Sequence, residues 1–171
     1  AEKLIYRHPH IFLGKEVENS KEVVYNWNKL KDSRRGIKKV TERMESLPEL
    51  PALMKSYKVQ ERAAEIGFDW GNIQGPIDKI KEEFKEVIEA IKTNSNIKIE
   101  EELGDLIFSV VNLARFLNLD PEVALNKANN KFISRFREME RESEEKGTSL
   151  EDMSLDELNL LWNFVKEGKN Q

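Results

Sequence analysis

The sequence predicts an all-α protein, a helical bundle with a core like that of a four-helix bundle. Apolar residues recur at helical spacing along most of the 171 residues. Asp, Pro and Gly stand where these periodic segments begin and end. The sequence contains no alternating strand pattern and no Asn-Gly hairpin signal. A chain of this length can bury one core, and because the predicted helices have broad apolar faces, we expect pairing with a second chain to complete it.

The N-terminal part is expected to hold two helices and a rigid connector. Residues 20–31 place apolar side chains on one helical face, and the Arg-Arg-Gly sequence at residues 34–36 ends that pattern. Pro48 and Pro51 restrict the connector that follows. Pro51 is suited to open the next helix, and Gly67 is suited to follow its end.

Two central helices are predicted from apolar stripes of helical period, joined by a short polar connector at residues 93–96. We expect both stripes to face the core. The first stripe contains Ile77, Ile80, Phe84, Val87, Ile88 and Ile91, and the second contains Leu103, Leu106, Ile107, Val110, Leu113, Ala114 and Leu117.

Two further helices are predicted towards the C-terminus. The first starts with Asp120 as N-cap and Pro121 as its first helical residue, and its charged end, residues 137–146, is expected to be solvated. Ser154 and Glu157 predict a capping box at the start of the last helix, which Gly168 is suited to end. The buried stripe of the first of these helices is expected to contain Leu125, Phe132, Phe136 and Met139.

Two acidic pairs lie on the central helices, Glu83 with Glu86 and Glu102 with Asp105, each at i,i+3 spacing beside an apolar stripe. Because the two helices are consecutive, we expect the four carboxylates to meet. Such a cluster repels itself unless cations bind to it, and oxygen-only ligands favour Mg²⁺, with Mn²⁺ as a substitute. The pattern predicts a magnesium-dependent enzyme that acts on a phosphate ester or anhydride. Since 35% of the residues are charged, either pair alone would be more typical of a solvated surface.

Basic and polar residues supply candidates for substrate binding. Lys131 and Arg135 are one helical turn apart and can grip phosphate oxygens, although pairing with Glu138 or simple solvation is the alternative. Lys79 and Asn112 lie on the same flanks as the acidic pairs, and we expect them to bind substrate as well.

Three other features allow two interpretations. Gly104 is expected to let a neighbouring helix or a metal approach closely, but it can also be an incidental glycine. Trp70 is expected to cover an end of the bundle, with stacking on a nucleobase as the alternative. His8 and His10 are too few for a transition-metal site without further His or Cys ligands.

These residues resemble the MazG family of nucleoside triphosphate pyrophosphohydrolases. The similarity extends over residues 47–140, and the combination of motifs is specific, whereas Glu-Glu-x-x-Glu alone would not be. It rests on residues 50–54, 61–70, 79–86, 101–106, 111–115 and 128–136.

The resemblance implies an all-α enzyme that hydrolyses nucleoside triphosphates, NTP or dNTP, to the monophosphate and pyrophosphate. In that family metal-activated water attacks the α-phosphorus, and the acidic pairs that match Glu83, Glu86, Glu102 and Asp105 hold Mg²⁺. We expect Glu83 or Glu86 to take the proton from the water.

The resemblance also implies a set of substrate ligands and a homodimer. The basic residues of the family match Lys131 and Arg135, and a C-terminal Leu-Trp-x-x-x-Lys pattern matches Trp162 and Lys166. In MazG proteins with two domains, a segment similar to Arg-His-Pro-His at residues 7–10 follows the first domain. We therefore expect residues 1–46 to be a linker and helical segment after a first domain, and residues 47–171 to be a second, C-terminal-type catalytic domain.

Composition excludes several classes of protein. The sequence has no cysteine, no signal peptide and no stretch long and apolar enough for a membrane span, so we expect a cytoplasmic protein. A net charge of −4 argues against nucleic-acid binding. The absence of a Glu-x-x-His motif disfavours a di-iron bundle. Two alternatives stay open: a related pyrophosphohydrolase with a narrower nucleotide substrate, and a non-catalytic helical interaction module.

Overall fold

A computed structural model describes residues 39–168, and within this range every regular element is helical. The prediction of an all-α fold is confirmed there. The helix predicted over residues 20–31 lies outside the described residues. The helices are α1 (Val40–Glu45), α2 (Ala52–Ala64), α3 (Gln74–Lys92), α4 (Asn96–Phe116), α5 (Pro121–Glu145) and α6 (Leu155–Gly168), with a short 3₁₀ helix at Leu150–Asp152.

The chain divides into two compact units, with the boundary in the sequence between Pro121 and Glu122, and each is described separately. The predicted domain boundary near residue 46 stays a prediction. In the first unit α3 packs along α4, α2 packs on α4, and α1 packs on α2. Asn94, with a positive φ of 54°, reverses the chain between α3 and α4. This reversal brings the two acidic helices side by side.

The ends of α2 follow the signals predicted from the sequence. Pro51 is the N-cap of α2, and its carbonyl accepts a hydrogen bond from the Lys55 N–H. Gly67 follows the helix with a φ of +87°, and the Phe68 N–H donates to the Ala63 carbonyl at 3.1 Å. Because a glycine adopts this φ without strain, the chain can turn sharply into the loop that leads to α3.

The second unit packs α5 against α6. Met139, Leu161 and Val165 form its buried core, and Leu150, Met153, Leu158 and Trp162 pack around them. The predicted start of α5 at Pro121 is confirmed. So is the predicted capping box, because the Ser154 N–H donates to a Glu157 carboxylate oxygen at 2.8 Å and the Glu157 N–H donates to Ser154 Oγ at 3.4 Å.

The apolar stripes predicted for the core are largely exposed in the single chain. On α3 the buried residues are Pro76, Glu83 and Ala90, and on α4 they are Ser109 and Val111. The helices therefore bury mainly small and polar residues, and the predicted stripes are at most half-buried. In the stripe predicted for α5 only Met139 is buried. The exposed stripe residues are Phe84, Ile88, Ile91, Leu103, Ile107, Val110, Leu117, Leu125, Phe132 and Phe136.

Candidate functional site

The two acidic pairs meet where α3 and α4 lie side by side. Carboxylate oxygens of Glu83, Glu102 and Asp105 lie within 4.8 Å of one another. Glu83 also belongs to a second group of the same size, with Glu82 and Glu86 on its own helix. Glu83 is thus the member that links the carboxylates of the two helices.

Glu83 is a buried carboxylate whose hydrogen bonding is incomplete. The residue as a whole is 4% exposed, and one carboxylate oxygen lies 2.6 Å from the Lys79 ammonium. The other oxygen, Oε2, is buried and has no hydrogen-bond partner among the described residues. An unsatisfied buried acceptor costs about 1–3 kcal/mol, and more when it is charged. A cation bound to this oxygen would remove that cost.

The donor set of the cluster fits a hard divalent cation. Glu83, Glu102 and Asp105 supply carboxylate oxygens in one group. Glu86 supplies a further carboxylate in the second group, which also contains Glu83. No His or Cys ligand occurs among the residues of these two groups, which disfavours a zinc or copper site. Mg²⁺ and Mn²⁺ prefer such all-oxygen sites.

Lys79 supplies positive charge to the cluster. Its ammonium lies 2.7 Å from Glu82 and 2.6 Å from Glu83, and hydrogen bonds to these two residues raise the pKa of Lys79 above its ordinary value. Partial desolvation raises the pKa of Glu86, and the negative charges of Glu83 and Glu102 add to the rise. The negative charges of Glu83 and Glu102 are thus close enough to Glu86 to disfavour its ionised form.

A cavity of about 680 Å³ opens beside the cluster, within the first unit. Its wall combines the cluster residues Lys79, Glu83 and Asp105 with further residues of α2, α4 and the α2–α3 loop. A volume of this size can hold a nucleotide-sized ligand. Its aromatic lining residues are Phe68, Trp70 and Phe108.

Trp70 packs over the start of α3. A Cβ atom at Gly75 would collide with the indole ring, so the glycine makes room for it. Trp70 is 42% exposed and lines the cavity. The predicted cover of a helix end therefore also forms part of the wall of the candidate site.

A polar network at the cavity wall was not predicted from the sequence. Arg115 donates to both carboxylate oxygens of Asp69, at 3.0 and 2.5 Å, and also to Asn112 Oδ1, at 3.1 Å from Nε and 2.9 Å from Nη2. The hydrogen bond from Arg115 lowers the pKa of Asp69. Both charged residues fall within the motifs quoted above, but their separation of 46 residues gave no signal of a pair.

Gln60 is a second residue that sequence reasoning missed. It is the buried residue of α2, its Nε2 donates to the Phe108 carbonyl at 2.9 Å, and its Oε1 is buried without a partner among the described residues. Gln60 lines the cavity. The signal that the sequence offered was the position of this glutamine at helical spacing from the apolar residues Leu53 and Tyr57.

Gly104 was expected to let a neighbouring helix or a metal approach closely; among the described residues no helix does so, and the approach of a metal stays a prediction. A Cβ atom built at this position would have no described atom within 4 Å. No neighbouring helix of the described chain needs the glycine, and the structure gives no other reason for it.

The second unit holds the other predicted substrate ligands. The Arg135 guanidinium lies 5.3 Å from the centre of the Trp162 ring, within the range of a cation–π interaction. Phe132 packs on Trp162 with ring centres 5.2 Å apart. Lys131 and Lys166 are exposed. The predicted site residues thus form two groups. Glu83, Glu102 and Asp105 lie together in the first unit, and Arg135 lies beside Trp162 in the second.

Comparisons with known proteins agree on one family. Residues 74–139 match the MazG nucleotide pyrophosphohydrolase domain. The nucleoside triphosphate pyrophosphohydrolase/pyrophosphatase MazG of Thermotoga maritima is 43% identical over 167 residues, 98% of this chain and 63% of that protein. The nucleoside triphosphate pyrophosphohydrolase of Escherichia coli K12 is 41% identical over 169 residues, 97% of this chain and 64% of that protein.

A third relative is longer still. The protein YabN of Bacillus subtilis is 38% identical over 175 residues, which cover 100% of this chain and 35% of that protein. The chain therefore spans less than two thirds of the length of each of these relatives. In residues 39–168, none of the helices combines the length and the apolar character that a membrane span requires.

Proposed function

The chain belongs to the MazG nucleotide pyrophosphohydrolase family, and we propose that it hydrolyses nucleoside triphosphates to nucleoside monophosphates and pyrophosphate in a Mg²⁺-dependent reaction. The proposed substrates include both ribonucleoside triphosphates (NTP) and deoxyribonucleoside triphosphates (dNTP). The observation that carries the proposal is the buried Glu83 carboxylate, which has one unsatisfied oxygen and lies with Glu102 and Asp105 in one carboxylate group beside a nucleotide-sized cavity.

Glu83, Glu86, Glu102 and Asp105 are the proposed metal ligands. The two carboxylate groups share Glu83, so more than one arrangement of ligands around an ion is available to the same helices. When bound, Mg²⁺ or Mn²⁺ would polarise the phosphate oxygens and lower the pKa of a water molecule. Lys79, which neutralises Glu83 in this structure, would then be free to contact a phosphate oxygen.

The reaction needs few other groups from the protein. Water attacks the α-phosphorus, a new P–O bond forms, the bond between the α-phosphorus and the bridging oxygen breaks, and pyrophosphate leaves with its electron pair. Glu83 or Glu86 takes the proton from the attacking water. No Ser or Cys nucleophile is required, which agrees with the absence of cysteine from the sequence.

Lys131, Arg135, Trp162 and Lys166 are proposed to bind substrate on the second unit. Arg135 presents a planar fork of N–H donors suited to phosphate oxygens, and its cation–π contact with the Trp162 ring restrains the guanidinium. Lys131 and Lys166 add point charges to an exposed surface. In the first unit Asn112 lines the cavity and is the proposed ligand of another part of the nucleotide.

The exposed apolar stripes support a homodimer. Phe84 and Ile91 on α3 are 55% and 54% exposed, and Ile107 and Val110 on α4 are 48% and 49% exposed. Full burial of such a side chain contributes roughly 1.5–3 kcal/mol relative to full exposure, so each of these half-exposed side chains forfeits roughly half of that amount. A second copy of the chain covering these stripes would recover part of that free energy.

Release of pyrophosphate tests the proposed function. Purified protein is incubated with each of the common NTPs and dNTPs, with Mg²⁺ and with excess EDTA. We expect pyrophosphate and the matching monophosphate only when Mg²⁺ is present. Turnover of one nucleotide alone would support a narrower pyrophosphohydrolase, and the absence of turnover with every nucleotide would support a non-catalytic module.

A further inference from the structure

Arg115 connects two residues of the cavity wall that lie on different elements. Its guanidinium binds Asp69 on the α2–α3 loop through Nη1 and Nη2. The same side chain binds Asn112, one turn earlier on α4, through Nε and Nη2. Arg115 is only 10% exposed, so the pair with Asp69 is partly shielded from water and holds the guanidinium in one orientation.

This arrangement determines what Asn112 can offer to a ligand. Both bonds from Arg115 end on the same atom, Asn112 Oδ1, which must be the acceptor because a guanidinium only donates. The side-chain oxygen therefore already has two donors. The amide nitrogen has no hydrogen-bond partner among the described residues, and Asn112 lines the cavity. The side chain is thus left as a donor.

The position of Asn112 indicates which part of a nucleotide it would meet. Asn112 follows the cluster residue Asp105 by seven residues, two helical turns, or about 10 Å along α4. The cavity extends from the carboxylates past Ser109 to Asn112 and Arg115, so a nucleotide whose phosphate is bound at the carboxylates has room for its base on that side. The Arg115 charge is neutralised by Asp69, so this part of the wall has little attraction for phosphate. Trp70 and Phe108 line the same cavity and suit a planar ring.

Resting on the proposed function, we propose that Asp69 and Arg115 are positioning residues that hold Asn112 as a hydrogen-bond donor, and that Asn112 recognises an acceptor atom of the nucleobase. Asn112 determines specificity, while Arg115 acts through it. Asp69 fixes Arg115 and, through the Trp70 N–H that donates to Asp69 Oδ1 at 2.8 Å, also fixes the loop that carries Trp70. A purely structural role for the Asp69–Arg115 pair is the competing account.

Asn112→Asp is the first test. The substitution keeps the shape and the acceptor for Arg115 but replaces the NH₂ donor with a second acceptor. The variant would lose the hydrogen bond to the base and place an acceptor oxygen against the acceptor atom of the base. We therefore expect KM to rise about tenfold or more, while kcat changes less than about threefold. An unchanged KM for every nucleotide would overturn the proposal.

A double-mutant cycle separates positioning from structure. Arg115→Ala is expected to raise KM in the wild-type background and to have no further effect on KM in an Asn112→Ala background. Equal increases in both backgrounds would show that Arg115 does not act through Asn112. Arg141→Ala is the matched control, because this exposed arginine also binds carboxylates, those of Glu138, Glu142 and Glu145, and should leave KM unchanged.

The outcome for this proposal can be distinguished from that for the proposed function. If wild-type protein releases pyrophosphate and Asn112→Asp has a normal KM, only the present inference fails. If the wild type releases none, calorimetric titration with α,β-methylene UTP replaces KM in the same variants. An equal Kd for wild type and Asn112→Asp, or no binding to the wild type, would then overturn the inference.

Discussion

The Lys79 ammonium lies 2.6 Å from one oxygen of the buried Glu83 carboxylate, while the other oxygen has no hydrogen-bond partner in residues 39–168. Lys79 is 37% exposed at its side chain and Glu83 is 6% exposed, so the pair lies at the cavity wall with the acid on the inner side. A lysine in this position balances the cluster when no metal is bound. It must therefore compete with any cation that binds Glu83.

Lys79→Met tests this competition. Without metal the variant should lose about 1–3 kcal/mol of unfolding free energy, because a buried carboxylate loses its counter-charge. Added Mg²⁺ should raise Tm more in the variant than in the wild type, since binding no longer displaces an ion pair. Thermal unfolding with and without Mg²⁺ measures both effects.

Lys81→Met is the control for that substitution. Lys81 is 67% exposed and pairs with Asp78, 58% exposed, away from the cluster, so little change in Tm is expected with or without Mg²⁺. An equal response of Tm to Mg²⁺ in Lys79→Met and in the wild type would contradict the competition.

Glu102→Gln tests the proposed metal ligands directly. The amide keeps the size of the side chain but removes one of the two negative charges that α4 contributes to the cluster. Turnover should fall at least about a hundredfold, because even outer-shell substitutions at metal sites cost 10–100-fold. The helical circular dichroism should be unchanged. Glu101→Gln, at an exposed neighbouring position, should retain wild-type turnover. Wild-type turnover in Glu102→Gln would refute its assignment as a ligand.

The Asp69–Arg115 pair should make stability depend on pH in the acid range. The hydrogen bond from Arg115 lowers the pKa of Asp69 below its ordinary 3.8, so the pair stabilises the folded state above that pH. The contribution is lost as pH falls through the lower, folded-state pKa. Asp69→Asn should therefore reduce the unfolding free energy by about 1 kcal/mol near pH 7 and by progressively less below pH ~4.

Denaturant unfolding of wild type and Asp69→Asn between pH 2.5 and pH 7 measures this difference. Asp152→Asn, at an exposed position, is the control and should show a much smaller difference near pH 7. A difference for Asp69→Asn that stays constant down to the lowest pH would show that its charge does not contribute.

Substitutions of Arg135 can separate the effect of its positive charge from the effect of its planar shape beside Trp162. Arg135→Lys keeps the positive charge but loses the planar group 5.3 Å from the Trp162 ring and the fork geometry. Under the proposed function KM should rise several-fold in Arg135→Lys and on the order of tenfold in Arg135→Ala. Steady-state kinetics measures both. Arg137→Ala, exposed on the same helix, should change little. Equal KM values for Arg135→Ala and the wild type would remove Arg135 from the substrate site.

The elements that could be predicted from the sequence are those set by local chemistry. Pro51, Gly67 and Pro121 mark helix ends because their own backbone preferences act there, and Ser154 finds Glu157 within one turn. Likewise the acidic pairs follow from i,i+3 spacing and a short connector. These relationships require no knowledge of how distant segments pack.

Long-range contacts could not be predicted in the same way. Asp69 and Arg115 are 46 residues apart, and Gln60 reaches the Phe108 carbonyl across 48 residues. Periodicity also shows which face of a helix is apolar without showing what covers it. For this reason the stripes on α3 and α4 were assigned to a core that the single chain does not bury.

Ile107→Glu tests whether a second copy of the chain covers these stripes. Ile107 is 48% exposed at the middle of the α4 stripe, and a carboxylate there would lose its hydration on pairing. In light scattering after gel filtration we expect the wild type at twice the 20.0 kDa chain mass and the variant at the mass of one chain. Lys81→Glu, a charge change at a polar exposed position of α3, should leave the dimer intact. A wild-type protein that runs as a monomer at micromolar concentration would show that the apolar faces remain in water, and the dimer would have to be abandoned.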